Sequence, residues 1–213
     1  IMLASTPACF EPSIDYIVTK IPRFPFDKFA EANRSLSTQM KATGEVMILG
    51  RTIDECLLKA ARSLEIGVCH LYMKKFDDYT EAELLEYIKD GTDDRIFAIA
   101  ELISHGTDIG MISDATKIDI LFLEKVRNII RMEEKLKANK NDLTVLYEAK
   151  KMGFCDQYVA RLWECTELDV YNKRVENNMF PVYKMIDTCA AEFEGTVPYF
   201  YSTYEAENES VVS

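Results

Sequence analysis

Few residues in this chain are of types that carry out chemistry, and their spacing decides how far each can be read. There are two histidines, His70 and His105. Nucleophilic catalysis of the Ser/His/Asp kind needs one of them. Ser104-His105-Gly106 reads as a helix end, where a cation is favoured, and both histidines read as surface or capping residues. Six cysteines (9, 56, 69, 155, 165 and 189) are scattered with no Cys-x-x-Cys. A zinc site wants close pairs and histidines, so the single adjacency Cys69-His70 makes no metal centre, and reduced cysteines in packing roles are expected. Gly106 and Gly110 lack a Lys-Ser/Thr ending and follow a helix rather than a strand, so they form no phosphate loop. Carboxylates are plentiful, but on helices they alternate with bases at spacings of three and four, as Glu133 does with Lys137, which reads as solvated faces. No catalytic, cofactor-binding or metal-ligating residue is assigned.

One pattern points towards nucleic acid. Asp156 to Leu162 followed by Thr166 to Arg174 has the look of a helix-turn-helix, with Lys173 and Arg174 on the second helix. Glu164, Glu167, Asp169 and Glu176 crowd the same surface, and the turn lacks its usual glycine. The formal charge of the 213 residues is −11, which opposes phosphate contacts and an anionic membrane surface alike. Neither nucleic acid nor membrane is an expected partner. No apolar run has the length of a membrane span. A basic region with an apolar core is missing from the first residues, so a cytoplasmic location is expected.

The elements that position these residues are mostly helical. The stretch from Asp94 to Lys137 is expected to organise the chain. Ile96, Ile99, Ala100 and Ile103 make one helix up to Gly106, and an apolar turn follows with Ile109, Met111 and Ile112. Thr116, with Asp119 three residues on, is read as the cap of a long helix. Its buried stripe is Ile118, Phe122, Val126, Ile129, Met132 and Leu136. Leu121, Leu123 and Ile130 fall off that stripe, which leaves them as the candidate self-association surface.

Before this centre, Ile14 to Thr19 reads as a strand stopped by Ile21-Pro22-Arg23-Phe24-Pro25, Phe26 to Leu36 as a short helix, and Val46 to Leu49 as a second strand. Two isolated strands do not stand alone in water, so they are expected to be the edge of a sheet whose other strands precede residue 1. Helices are then expected from Thr52 to Gly67 and from Thr80 to Gly91, with a loop over 68–79. Later helices start at Asp142, Asp156 and Thr166, the last carrying Leu168, Tyr171 and Val175. Val182 to Ile186 is extended, and Phe193, Tyr199, Phe200, Tyr201 and Tyr204 are expected to anchor a linker to a neighbouring body. The fold class is mainly α, a multi-helix domain with a small β edge. The chain does not begin with Met and its polar end, from Glu207, has no closing structure, so a segment of a longer protein is expected.

The flanks carry a resemblance. Phe10 to Phe24 (Phe-Glu-Pro-Ser-Ile-Asp-Tyr-Ile-Val-Thr-Lys-Ile-Pro-Arg-Phe) resembles the close of the first ATP-grasp unit in the large subunit of carbamoyl-phosphate synthase. Gln39 to Met47, followed by Gly50-Arg51-Thr52, resembles that family's next landmark. Ile118-Asp119, Phe122-Leu123 and Gly153-Phe154 fall where the family places such residues. Asp187 to Phe193 and Tyr201 to Glu205 resemble the linker into the second synthetase half. Phe180 departs from the histidine expected before Pro181-Val182-Tyr183.

The resemblance implies residues 1–50 as the edge of the first ATP-grasp unit, 51–180 as a helical oligomerisation domain and 181–213 as a linker. It further implies a parent ligase that makes carbamoyl phosphate from bicarbonate, glutamine-derived ammonia and two ATP, in arginine and pyrimidine biosynthesis. Mg²⁺ and K⁺ assist that parent, and a glutaminase small subunit, separate or fused, supplies its ammonia. The family's nucleotide- and metal-binding residues match nothing within this chain, so the segment alone is expected to be non-catalytic. The other reading of the residues is a free-standing helical adaptor or DNA-binding module.

Overall fold

The computed structural model describes residues 13–26, 28–29, 31–42, 44–187 and 199–210. Among these the fold is mainly α. A hairpin of β1 (Ile17–Arg23) and β2 (Gly44–Gly50) leads into α1 (Ile53–Ser63), a 3₁₀ turn (Lys74–Phe76), α2 (Glu81–Tyr87) and α3 (Arg95–Ser104). Next come α4 (Ile109–Thr116), α5 (Ile120–Ala138), α6 (Leu143–Lys151), α7 (Asp156–Trp163) and α8 (Glu167–Glu176). A second ribbon, β3 (Val182–Met185) with β4 (Phe200–Thr203), ends the described chain.

Except for α3 and α7, the helices begin where small oxygen-bearing side chains meet the free N–H groups of a first turn. Thr80 with Glu83 and Thr166 with Asp169 form complete reciprocal boxes. Thr52 accepts from the Glu55 amide at 3.2 Å, but the Glu55 carboxylate turns instead to the Arg51 amide at 2.9 Å. Asp142 caps α6 through the amides of Thr144 and Val145.

α5 is the centre of the core. It touches α1, α3, α4, α6 and α7 and buries Leu123, Val126, Ile129 and Leu136. Trp163 of α7 donates its indole N–H to the Leu136 carbonyl at 3.0 Å. Two readings around it need correction. The apolar turn at Ile109, Met111 and Ile112 is a helix of its own, α4, capped by Asp108. Thr116 ends that helix, its hydroxyl donating to the Ile112 carbonyl at 2.7 Å, and Asp119 caps α5 by accepting from the Leu121 amide.

In the first fifty residues the end of the first strand and the expected short helix differ from expectation. β1 and β2 pair with each other, antiparallel, from Ile17 opposite Gly50 to Arg23 opposite Gly44. Pro22 does not stop β1, because each strand of a two-stranded ribbon is an edge strand, where a missing donor is tolerated. The ribbon packs on α1, with the Lys59 ammonium donating to the Leu49 carbonyl at 3.2 Å. The expected helix from Phe26 to Leu36 is absent among the described residues. That segment is tied down by polar bonds, with Arg34 reaching Asp93 at 2.8 Å and Asp94 at 2.9 Å, and the Leu36 amide donating to the Gly91 carbonyl.

The second ribbon returns to the first: β4 touches β2, Arg51 meets Glu205 at 3.1 Å, and Tyr16 donates to the Asp187 carbonyl at 3.3 Å. Tyr201 is buried and Tyr204 packs on the core, as expected of anchors, while Tyr199 and Phe200 are exposed. Phe193 lies outside the described residues, as do Cys9 and Cys189. No helix among the described residues is long and apolar enough to cross a membrane.

Candidate self-association surface

The connection between α4 and α5 leads into a run of exposed apolar residues. Lys117 takes a left-handed conformation (φ 60°) that stops α4. The Ser113 hydroxyl donates to the Ile118 carbonyl at 2.8 Å, and the Ile118 amide donates to the Thr116 hydroxyl at 3.2 Å. With Asp119 as cap, the chain turns within three residues and starts α5 with Ile120, Leu121 and Phe122. All three are half-exposed, as is Met111 on α4. Asp114, Lys117 and Asp119 are exposed between them. An apolar core edged by charge is the usual make-up of a protein–protein contact.

The three residues singled out in the sequence separate here. Leu121 is 54% exposed and belongs to this stretch. Leu123 is 1% exposed and packs in the core, so it cannot meet a second molecule without unfolding α5. Ile130 is partly buried against the same core. Phe122, assigned to the buried stripe, stands outside at 52%. The exposed set is therefore Met111, Ile120, Leu121 and Phe122.

A second apolar stripe runs along α8. Leu168, Tyr171 and Val175 lie three and four apart and are all exposed, whereas α8 docks through Val170 and Arg174. These are the three apolar residues that the sequence places on that helix, and the fold turns them outward. Phe180 just beyond is also exposed.

The helix-turn-helix reading fails on geometry. Arg174 is buried, with its Nε 2.9 Å from each oxygen of Asp156 and its Nη1 donating to the Met179 carbonyl. Lys150 completes this cluster, 2.8 Å from Asp156. Burial works to raise the Asp156 carboxyl, and Arg174 and Lys150 outweigh it and hold it below the usual carboxylate range. Lys173 is engaged by Asn141 at 2.8 Å.

His70 is not a surface residue either. It is 1% exposed and stacks parallel on Tyr158 at 3.8 Å between ring centres. Burial, reinforced by Arg62, Lys137 and Arg161, pushes its pKa down to about 3. His105 sits at the end of α3 as expected, 3.2 Å from Glu101. The view of carboxylates as solvated faces holds for Glu134, which meets Lys137 at 2.8 Å, but not for Glu133, whose side chain is mostly buried beside the same lysine at 2.7 Å, nor for Asp54, Glu55 and Asp94, all buried. Asp94 is held by Tyr87 at 2.6 Å, Arg34 and Lys75. Among the described residues no three His, Cys, Asp or Glu side chains group as metal ligands.

The arrangement offers two exposed apolar faces, at the start of α5 and along α8. The model of the carbamoyl-phosphate synthetase large chain, oligomerisation domain, matches residues 45–178, from β2 to the end of α8. With well over half of its 213 residues matched, the chain belongs to the carbamoyl-phosphate synthetase large-chain family, and its helical body is that family's oligomerisation domain.

Proposed function

We propose that this chain joins copies of a carbamoyl-phosphate synthase large chain and takes no direct part in catalysis, with the start of α5 as the face where copies meet. The observation that carries the reading is the run of three consecutive half-exposed apolar residues, Ile120 to Phe122, on a domain of the oligomerisation family. Large apolar side chains held rigidly at a helix start lose water on association at little cost in order. A closed twofold contact is the simplest arrangement in which one such patch meets itself.

The parent activity is the ligation of bicarbonate, glutamine-derived ammonia and two ATP into carbamoyl phosphate, with Mg²⁺ and K⁺ as its cofactors, a glutaminase subunit as its partner and the cytoplasm as its location. This part of the reading rests on the flanking motifs. On the same basis residues 1–50 close the first ATP-grasp unit, 51–180 form the joining domain and 181–213 lead into the second half. The exposed stripe on α8 favours a second reading, in which Leu168, Tyr171 and Val175 make the contact.

Sedimentation velocity of the chain over a wide concentration range tests the proposal. A mass that rises to a discrete multiple of 24.4 kDa supports it, and a monomer at every concentration contradicts it. Bicarbonate-dependent ATP hydrolysis that a substitution inside this chain abolishes would contradict the non-catalytic part.

A further inference from the structure

Two thiols that are 86 positions apart in sequence meet in the fold. Cys69 lies in the loop between α1 and the 3₁₀ turn, and Cys155 stands just before the first turn of α7. The Cys155 sulfur is 3.6 Å from the Cys69 carbonyl oxygen, which brings the two thiol groups alongside each other. Both residues are partly open to solvent, unlike Cys56, which is buried. Cys165 is partly open as well but has no thiol partner among the described residues.

We infer that Cys69 and Cys155 form a dithiol site that hydrogen peroxide or a related small peroxide oxidises to an intramolecular disulfide, with Cys155 as the attacking sulfur and Cys69 as the resolving one. The surroundings divide the roles. As a thiol, Cys155 donates to the Cys69 carbonyl. As a thiolate it accepts from the Cys69 S–H and from the Tyr158 amide in the first turn of α7, with Arg62 and Lys150 adding positive charge. These contacts lower its pKa, and the bond donated by Cys69 keeps that partner protonated. Arg62 is fixed in this place because it also donates to the Gly153 carbonyl at 2.6 Å.

The chemistry balances in two steps. The Cys155 thiolate attacks one peroxide oxygen, the O–O bond breaks, and the departing hydroxide takes a proton to become water. The Cys69 sulfur then attacks the sulfenic sulfur, the S–O bond breaks, and the hydroxyl leaves as a second water with the Cys69 proton. Two thiols have given up two electrons and two protons, and one peroxide has become two waters. The product ties the loop after α1 to the start of α7 across the core.

The test is peroxide treatment of the full chain, alkylation of residual thiols with N-ethylmaleimide in denaturant, and non-reducing peptide mapping. The main product expected is a Cys69–Cys155 linked peptide two hydrogens lighter than the pair, with Cys165 still alkylated. In Cys69→Ser, dimedone is expected to trap a sulfenic acid on Cys155; in Cys155→Ser, Cys69 is expected to stay reduced. Before oxidation, Cys155 of the native chain should react with iodoacetamide at neutral pH roughly tenfold faster than Cys165. The inference is overturned if peroxide leaves both thiols alkylatable, if Cys155 reacts no faster than Cys165, or if the linked peptide joins other cysteines. The wild-type map and rates decide the matter even if a serine variant does not fold.

Discussion

Arg174 of α8 closes on Asp156 of α7, its Nε 2.9 Å from each carboxylate oxygen. This is the bond that turns a helix-turn-helix outline into a packing unit. The arginine that a DNA reader would extend towards phosphate is instead turned inward, and Lys150 of α6 meets the same carboxylate.

Removing the shared anion leaves two buried cations facing each other. Asp156→Ala is expected to cost about 3–5 kcal/mol, the range for breaking one partner out of a buried charge cluster. Asn172→Ala, on the exposed side of α8, is expected to change stability by less than about 0.5 kcal/mol. Urea unfolding followed by circular dichroism measures both. Similar losses for the two would show that the cluster does not hold α7 to α8.

Gly153 is required for two reasons at once. Its φ is +90°, and a Cβ there would stand 3.0 Å from the Glu55 carbonyl oxygen of α1. Gly67 shares the left-handed backbone (φ +78°) but faces open space. Gly67→Ala is therefore expected to cost about 1 kcal/mol, the conformational part alone. Gly153→Ala must add the displacement of α1, bringing it above about 2 kcal/mol. Equal losses in thermal unfolding would mean that the approach of Gly153 to α1 relaxes freely.

His70 makes stability depend on pH. Its pKa falls from the ordinary 6.5 to about 3 in the folded chain, so between those values the unfolded chain binds the extra proton. The stabilisation is complete above about pH 6.5 and is lost as pH falls towards 3, with a slope of at most about 1.4 kcal/mol per pH unit from this one group. Asp94 and Asp156, held below the usual carboxylate range, add their losses only under more acid conditions. Urea midpoints measured between pH 7 and 4.5 should fall for the wild type. They should stay nearly level for His70→Phe, which keeps a ring on Tyr158. A parallel fall in both proteins would assign the dependence to other groups.

How much of this was legible depends on the kind of signal. Caps are local chemistry, so Thr52, Thr80, Asp142 and Thr166 mark helix starts within the reach of one side chain. Thr116 misled because a second accepting side chain, Asp119, stood three residues on, and the left-handed Lys117 between them leaves no glycine to see. Periodicity gives the angle at which a residue leaves a helix but not which neighbour covers each turn. Phe122 has the angle of the stripe and remains exposed at the first turn of α5, while Leu123 is covered. The strands of β1 and β2 were legible as strands, but their pairing with each other is long-range information that spacing does not carry. The burial of His70 and the meeting of Cys69 with Cys155 left no trace in spacing, since both arise from the loop after α1 settling on α7.

The face at the start of α5 is tested most directly by moving charge onto it. Leu121→Glu with Phe122→Glu places two carboxylates on the exposed apolar run, and Leu168→Glu with Tyr171→Glu does the same on α8. Arg131→Glu, on an exposed turn of α5, controls for added negative charge. Leu123→Glu is unsuitable, because that side chain is in the core and its variant reports folding. Sedimentation equilibrium of each protein, with circular dichroism to establish the fold, should show the α5 pair weakening self-association about 100-fold or more, equivalent to a few kcal/mol. The α8 pair and the control should keep the wild-type mass. A folded α5 pair that keeps the wild-type mass while the α8 pair dissociates would contradict this account and move the contact to α8.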